Sequence, residues 1–159
     1  VIMVPRRGAQ VAQITEKSMS DVLEVRCALD VLAVELACER ITTEAVEELR
    51  EACREFEKAT TTKDVHVIAK ADVAFHDIIF KAAGNPRLTQ MINNLAEQMY
   101  RYRFEYIKDE SQHQMLVKEH CLICESIEKR DVEGAKEAIR KHIENQENSI
   151  IRQIRLEKR

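Results

Sequence analysis

From Ser18 onward, apolar residues recur three or four positions apart with almost no interruption, a repeat that only α-helices gather onto one face. Val22, Val25, Leu29, Leu32 and Leu36 make a first stripe, and Val46, Leu49, Cys53 and Phe56 a second. Val65, Ile68, Ala69, Ile79 and Phe80 mark a third helix, and Leu88, Met91, Ile92, Leu95, Met99, Tyr102 and Tyr106 a long fourth. Asp109 can start a fifth helix with Leu116, Ile123 and Ile127 inward, and Asp131 a sixth with Ala135, Ala138 and Ile139 inward. In GNPRL, Gly84 suits a left-handed helix end, Asn85 a cap, and Pro86 a first helical position. Short connectors between amphipathic helices predict an all-α, antiparallel bundle of about six helices. Composition agrees: 159 residues fit one domain, and 4% aromatics with three Gly and two Pro suit helices better than a β-fold.

Four positions break the apolar rule. Asp72 and His76 lie four apart in the middle of the third stripe, His120 interrupts the fifth, and His142 the sixth. Burying several ionisable groups in one core is costly unless something pairs them, and separate partners for each would be needed if each stood alone. One shared metal ion answers that cost, since a carboxylate with three imidazoles suits zinc, nickel, cobalt, iron or manganese. A closed tetrahedral site would be structural, and an octahedral ion would keep open positions; the residues leave both readings standing. His66 and His113 are expected outside this set, His66 solvated and His113 at the surface or a pocket rim. Glu110 and His113 form a single ExxH, whereas a di-iron bundle needs two. A rival reading from another class is a helical-bundle metalloenzyme, a hydrolase using the same four residues. It needs a general acid or base, and Glu119, beside His120, points about a hundred degrees away on the helix.

Arg26 falls on the first helix's apolar face, and an inward guanidinium wants a carboxylate. Either a small-molecule acid or Asp30, four residues on, can supply it; Arg103 is a weaker instance of the same idea. The five cysteines are an odd number, which fits a reducing, cytoplasmic setting, and Cys121 and Cys124 form a lone CxxC inside an apolar helix pattern, better read as packing than as redox or metal chemistry. No apolar run reaches transmembrane length, so no membrane partner is expected. A net charge of −3 gives this segment no general affinity for nucleic acid, the basic end IRQIRLEKR excepted.

Taken together, these residues resemble the FadR-type C-terminal effector domain (FCD) of GntR-family transcription regulators. LEVRCALDVLAVELA is similar to that family's opening helix, DVAFHDIIFKAAGNPRL to its D-x3-H and aaGNp stretch, and KEHCLICESIEKRDVEGAKEAIRKH to its closing pattern. The resemblance implies a divalent transition metal held by Asp72, His76, His120 and His142 at the floor of a pocket. It also implies a small carboxylate effector, with Arg26, Arg103, Tyr102 and Asn85 as expected contacts, rather than an acyl-CoA. Six helices would place the chain nearer the VanR-type subgroup. VPRRGAQVA resembles the end of a winged helix-turn-helix domain, so residues 1–15 are expected to be a remnant of wing and linker, and 16–159 the effector-binding and dimerisation domain. The implied protein is a cytoplasmic homodimer that reaches DNA through a domain missing from this chain, and it is not an enzyme.

Overall fold

The computed structural model describes residues 2–4, 8–10 and 13–159. Of the expected wing-and-linker segment 1–15, residues 1, 5–7, 11 and 12 lie outside them. Within it, strands β1 (Ile2–Val4) and β2 (Gly8–Gln10) pair antiparallel, Met3 opposite Ala9. Among the described residues all other regular structure is helical, as the apolar periodicity predicts.

Helix α1 (Glu16–Arg40) starts where the Thr15 hydroxyl accepts the Ser18 N–H, and α2 (Thr43–Thr61) where Thr42 does the same for Ala45. Asp64 caps α3 (Val65–Ala83), which ends on Gly84 with φ 61°, a conformation glycine adopts without steric cost. Asn85 then caps α4 (Pro86–Asn93), with proline in its first turn. After α5 (Ala96–Ile107) a single 3-10 turn, capped by Asp109, leads into α6 (His113–Glu128). Asp131 starts α7 (Val132–Glu157) by accepting the Gly134 N–H.

The described residues thus form seven α-helices where six were expected. The long fourth helix is two, because the ladder breaks at Asn94 and Leu95, where the Leu95 N–H bonds back to Ile92 and not to Met91. Two adjacent asparagines, whose side chains compete for backbone groups, weaken the helix at that point. The helix count therefore no longer speaks for the VanR-type subgroup.

The helices close into a ring. α1 packs on α3, α3 on α2, α2 on α6, α6 on α7, and α7 back on α1, while α5 lies against α3 and α7. Each ring helix therefore presents one face to a shared interior, filled by Leu23, Phe56, Ile68, Phe75, Leu116, Ile123 and Ile139. The face that α1 buries differs from the stripe read in the sequence. Met19, Leu23, Arg26, Ala33 and Ala37 are inside, whereas Val25 and Leu32 are exposed at 49% and 39%. α1 carries apolar residues on every side, so periodicity alone does not orient it. His113 also departs from expectation: it is buried, its Nε2 2.8 Å from the Ile107 carbonyl at the α5–α6 corner. His66 is exposed, as expected, near the Phe104 ring.

Candidate metal centre

Asp72 and His76 come from α3, His120 from α6 and His142 from α7, and all four are buried in the ring's interior. One donor atom from each lies within 4.8 Å of the other three. The imidazole centroids form a nearly equilateral triangle, with sides of 5.2, 5.3 and 5.4 Å. Along its edges, His120 Nε2 is 2.9 Å and His76 Nε2 3.4 Å from Asp72 Oδ1, and His142 Nε2 is 3.3 Å from His76 Nε2.

These separations fit a shared cation. Donors about 2.0–2.1 Å from one ion stand roughly 3.0 Å apart if octahedral neighbours and roughly 3.4 Å apart if tetrahedral. Hydrogen bonding accounts for the His76–His142 approach but not for the two approaches to Asp72 Oδ1. Asp72 Oδ1 and both ring nitrogens of His120 have no hydrogen-bond partner despite their closeness, because the approach is too poorly aligned. Unpartnered buried atoms such as Asp72 Oδ1 and His120 Nε2, 2.9 Å apart, suit ligation of a shared ion.

The surroundings hold each ligand still. The His120 ring stacks on Phe75, with 4.2 Å between centroids and 10° between planes, and Phe56 of α2 tilts against it, also at 4.2 Å. Glu119 Oε2 accepts from His142 Nδ1 at 3.1 Å. With the Glu119 carboxyl ionised, that bond places the proton on Nδ1 and leaves the Nε2 lone pair directed at the centre. Gln146, one turn along α7, puts its amide 3.3 Å from the same Nε2 and accepts from Arg26 at 2.8 Å. Arg26 in turn donates to Asp30 at 3.1 Å. Arg26 is thus paired with Asp30, but it is buried and not at the surface. Among the described residues its Nη2 has no hydrogen-bond partner, nor do the Ser149 hydroxyl of α7 and the Tyr106 hydroxyl of α5.

Charge in the centre is set for binding a cation. Burial pushes the Asp72 carboxyl up, but His76, Arg103 and His120 outweigh it and hold Asp72 well below the usual carboxylate range. Burial pushes His76 down to about 4, against the pull of Asp72, and burial with the neighbouring His120 lowers His142 well below its usual value. At neutral pH the centre therefore offers one carboxylate and two lone-pair-bearing imidazoles beside the His120 ring, with Asp72, His76 and His142 already deprotonated as a metal requires.

The expected effector contacts divide. Arg103 of α5 is buried and ion-paired with Asp72. Together with His76, Asp77, Tyr100 and Met99 it lines a cavity of about 150 Å3. Arg26 reaches the centre only through Gln146. Tyr102 is buried in the core, and Asn85 lies at the start of α4, its Oδ1 accepting from the Arg87 and Leu88 N–H groups. As a cap, Asn85 has a stability role of its own: Asn85→Ala is expected to cost about 1 kcal/mol in chemical denaturation. Glu119 is the residue sequence reasoning set aside. It sits three after Leu116 and four before Ile123, which puts it on the inward stripe's flank facing α7. That spacing was the available signal.

The FCD domain family model matches residues 21–145. The HTH-type transcriptional regulator YdhC of Bacillus subtilis (strain 168) is 24% identical over 139 residues, covering 86% of this chain and 62% of that protein. The chain therefore spans less than two thirds of that relative's length. Among solved structures, E. coli McbR/YncC superposes with a TM-score of 0.85 at 19% identity, covering 94% of this chain and 76% of that one. The metal-free FCD domain of TM0439 gives 0.77 at 21%, covering 91% and 99%. The curated relatives YdhC, McbR and RspR are HTH-type transcriptional regulators. A ring of helices, an Asp/His3 cluster at its centre and a model match over most of its length all point one way: this chain belongs to the FCD domain family, the effector domains of GntR-type transcription regulators.

Proposed function

We propose that this domain senses a small organic acid, using a divalent transition metal held by Asp72, His76, His120 and His142. The observation that carries the reading is the buried quartet whose Asp72 Oδ1 and His120 nitrogens lack partners, beside a cavity walled by His76 and Arg103. When bound, the metal would supply Lewis-acid attraction for an oxygen anion. The chain's own residues do the rest. Glu119 fixes the His142 tautomer, Phe75 and Phe56 clamp the His120 ring, and Asp72 holds the Arg103 guanidinium at the cavity. A guanidinium fork matches a carboxylate in two hydrogen bonds, which favours carboxylic acids over neutral ligands.

In the longer protein, a winged helix-turn-helix domain would bind DNA, and the antiparallel hairpin of β1 and β2 would be its wing. Residues 16–159 would bind the effector and pair with a second copy. Effector binding would select one arrangement of that dimer, and hence one spacing of the DNA-binding domains, through its differential affinity for the two arrangements. The metallohydrolase reading loses its acid or base, because Glu119 is engaged with His142.

Elemental analysis and thermal shift test the proposal. Zinc or nickel at a hundred times its Kd is expected to add about 2.7 kcal/mol of stability, a rise of roughly 5–10 °C for a domain of this size. With metal bound, some member of a panel of di- and hydroxy-carboxylic acids should raise Tm further. The further rise should disappear in Arg103→Gln. A preparation that takes up no metal, or an acid response untouched by Arg103→Gln, overturns the reading.

A further inference from the structure

The α2–α6 seam carries a feature that sensing does not use. These helices run antiparallel, and two contacts fix their register. Phe56 of α2 meets the His120 ring of α6, and Arg50, almost two turns earlier, donates to Glu128 at 3.2 Å. Cys53 lies midway between Arg50 and Phe56, and Cys124 midway between His120 and Glu128, so the register sets the two cysteines opposite each other. Cys121 is on the same side of α6, three residues before Cys124. The thiols feel one another, for Cys124 and Cys121, together with burial, push the Cys53 thiol well above its ordinary range. Access is graded across the three, with Cys121 exposed, Cys53 half-buried and Cys124 buried. Cys27 and Cys38 both lie on α1, away from this register.

We propose that Cys53, Cys121 and Cys124 form a peroxide-oxidisable dithiol site, in which Cys53 joins one cysteine of the CxxC pair in a reversible disulfide across the α2–α6 seam. A peroxide enters at exposed Cys121. Its thiol sulfur takes one peroxide oxygen, giving the sulfenic acid and releasing one water. The Cys53 sulfur then attacks the Cys121 sulfur, the S–S bond forms as the S–O bond breaks, and the hydroxyl leaves as a second water with the Cys53 proton. In sum, two thiols lose two hydrogens and the peroxide is reduced to two waters. Cys124, beside Cys53, can exchange into the bond and free Cys121 again. In a reducing compartment such a bond is a transient signal and not a structural staple. It would tie α2 to α6 one turn from Phe56 and next to His120, the wall of the centre described above.

The test is hydrogen peroxide treatment of the purified chain under non-reducing conditions, followed by intact mass and peptide mapping. The expected product has lost the mass of two hydrogen atoms, and its five free thiols fall to three. Its map joins the Cys53 peptide to the peptide holding Cys121 and Cys124, and dithiothreitol reverses the change. Cys53→Ser should abolish the bond, whereas Cys27→Ser should leave it intact. The wild-type map keeps the test decisive if the Cys53 variant misfolds. A disulfide between molecules, one involving Cys27 or Cys38, or oxidation of Cys121 to sulfinic acid with Cys53 still free, each overturns the proposal.

Discussion

Replacing His142 by alanine is expected to weaken zinc or nickel binding by at least ~100-fold, because one of four ligands then supplies nothing to an ion whose total binding energy in four-ligand protein sites is of order 10 kcal/mol. The loss should exceed a ligand's simple share. Glu119 Oε2 and the Gln146 amide both lean on the His142 ring, at 3.1 and 3.3 Å, so its removal also leaves a buried carboxylate without a donor. Competition against a chelator of known affinity measures the change. The metal-free variant separates sensing from stapling. If the ion only holds the bundle together, wild-type protein stripped of metal should melt as early as the variant does, with no acid response in either. If the centre senses an acid, the variant keeps its helical fold and loses effector affinity. Unchanged metal affinity in His142→Ala would sink the assigned ligand set.

The centre was legible before the fold because its members violate periodicity. A charged or imidazole side chain at the middle of an apolar stripe is visible whatever the tertiary arrangement, and α3, α6 and α7 carry strong enough stripes to orient themselves. Residues whose roles depend on flanks were less legible. Glu119 sits a hundred degrees from His120, and only the closeness of α7 turns that flank inward. The same holds for α1, whose apolar residues surround the helix, so the packing of α3 and α7 decides that Arg26 is inside and Val25 outside. The division of the fourth helix depends on one i−3 bond at Leu95, which apolar spacing does not register. The polar neighbours of His113 read as a surface or pocket rim, yet the 3-10 turn before α6 folds it onto the Ile107 carbonyl. The spacing from Leu88 to Tyr106 passes through the break without a phase error.

Glu119→Gln is expected to move two properties in opposite directions. Metal affinity should fall by about 10- to 100-fold, the usual cost of losing a carboxylate that orients a ligating histidine. Metal-free stability at pH 8 should rise. Burial pushes the Glu119 carboxyl up to about 7, with Asp72 adding to it, against Asn145, His120 and Lys141, which favour its ionised form. In the unfolded chain the same group ionises near its ordinary value of 4.5. Between those limits the unfolded state binds fewer protons than the native state, so wild-type stability falls as pH rises through this window. Glutamine has no proton to lose, so the variant escapes that fall. The two metal-free proteins should therefore differ least near pH 4.5 and most at pH 8, with the variant melting later there. Thermal melts in chelator at pH 5 and pH 8, beside zinc titrations at pH 8, read both effects. A residue that merely filled space would shift both melts alike and leave zinc affinity unchanged. That outcome would remove Glu119 from the centre. The predicted divergence instead identifies a carboxylate kept at a cost to the empty domain because it holds His142 ready for the ion.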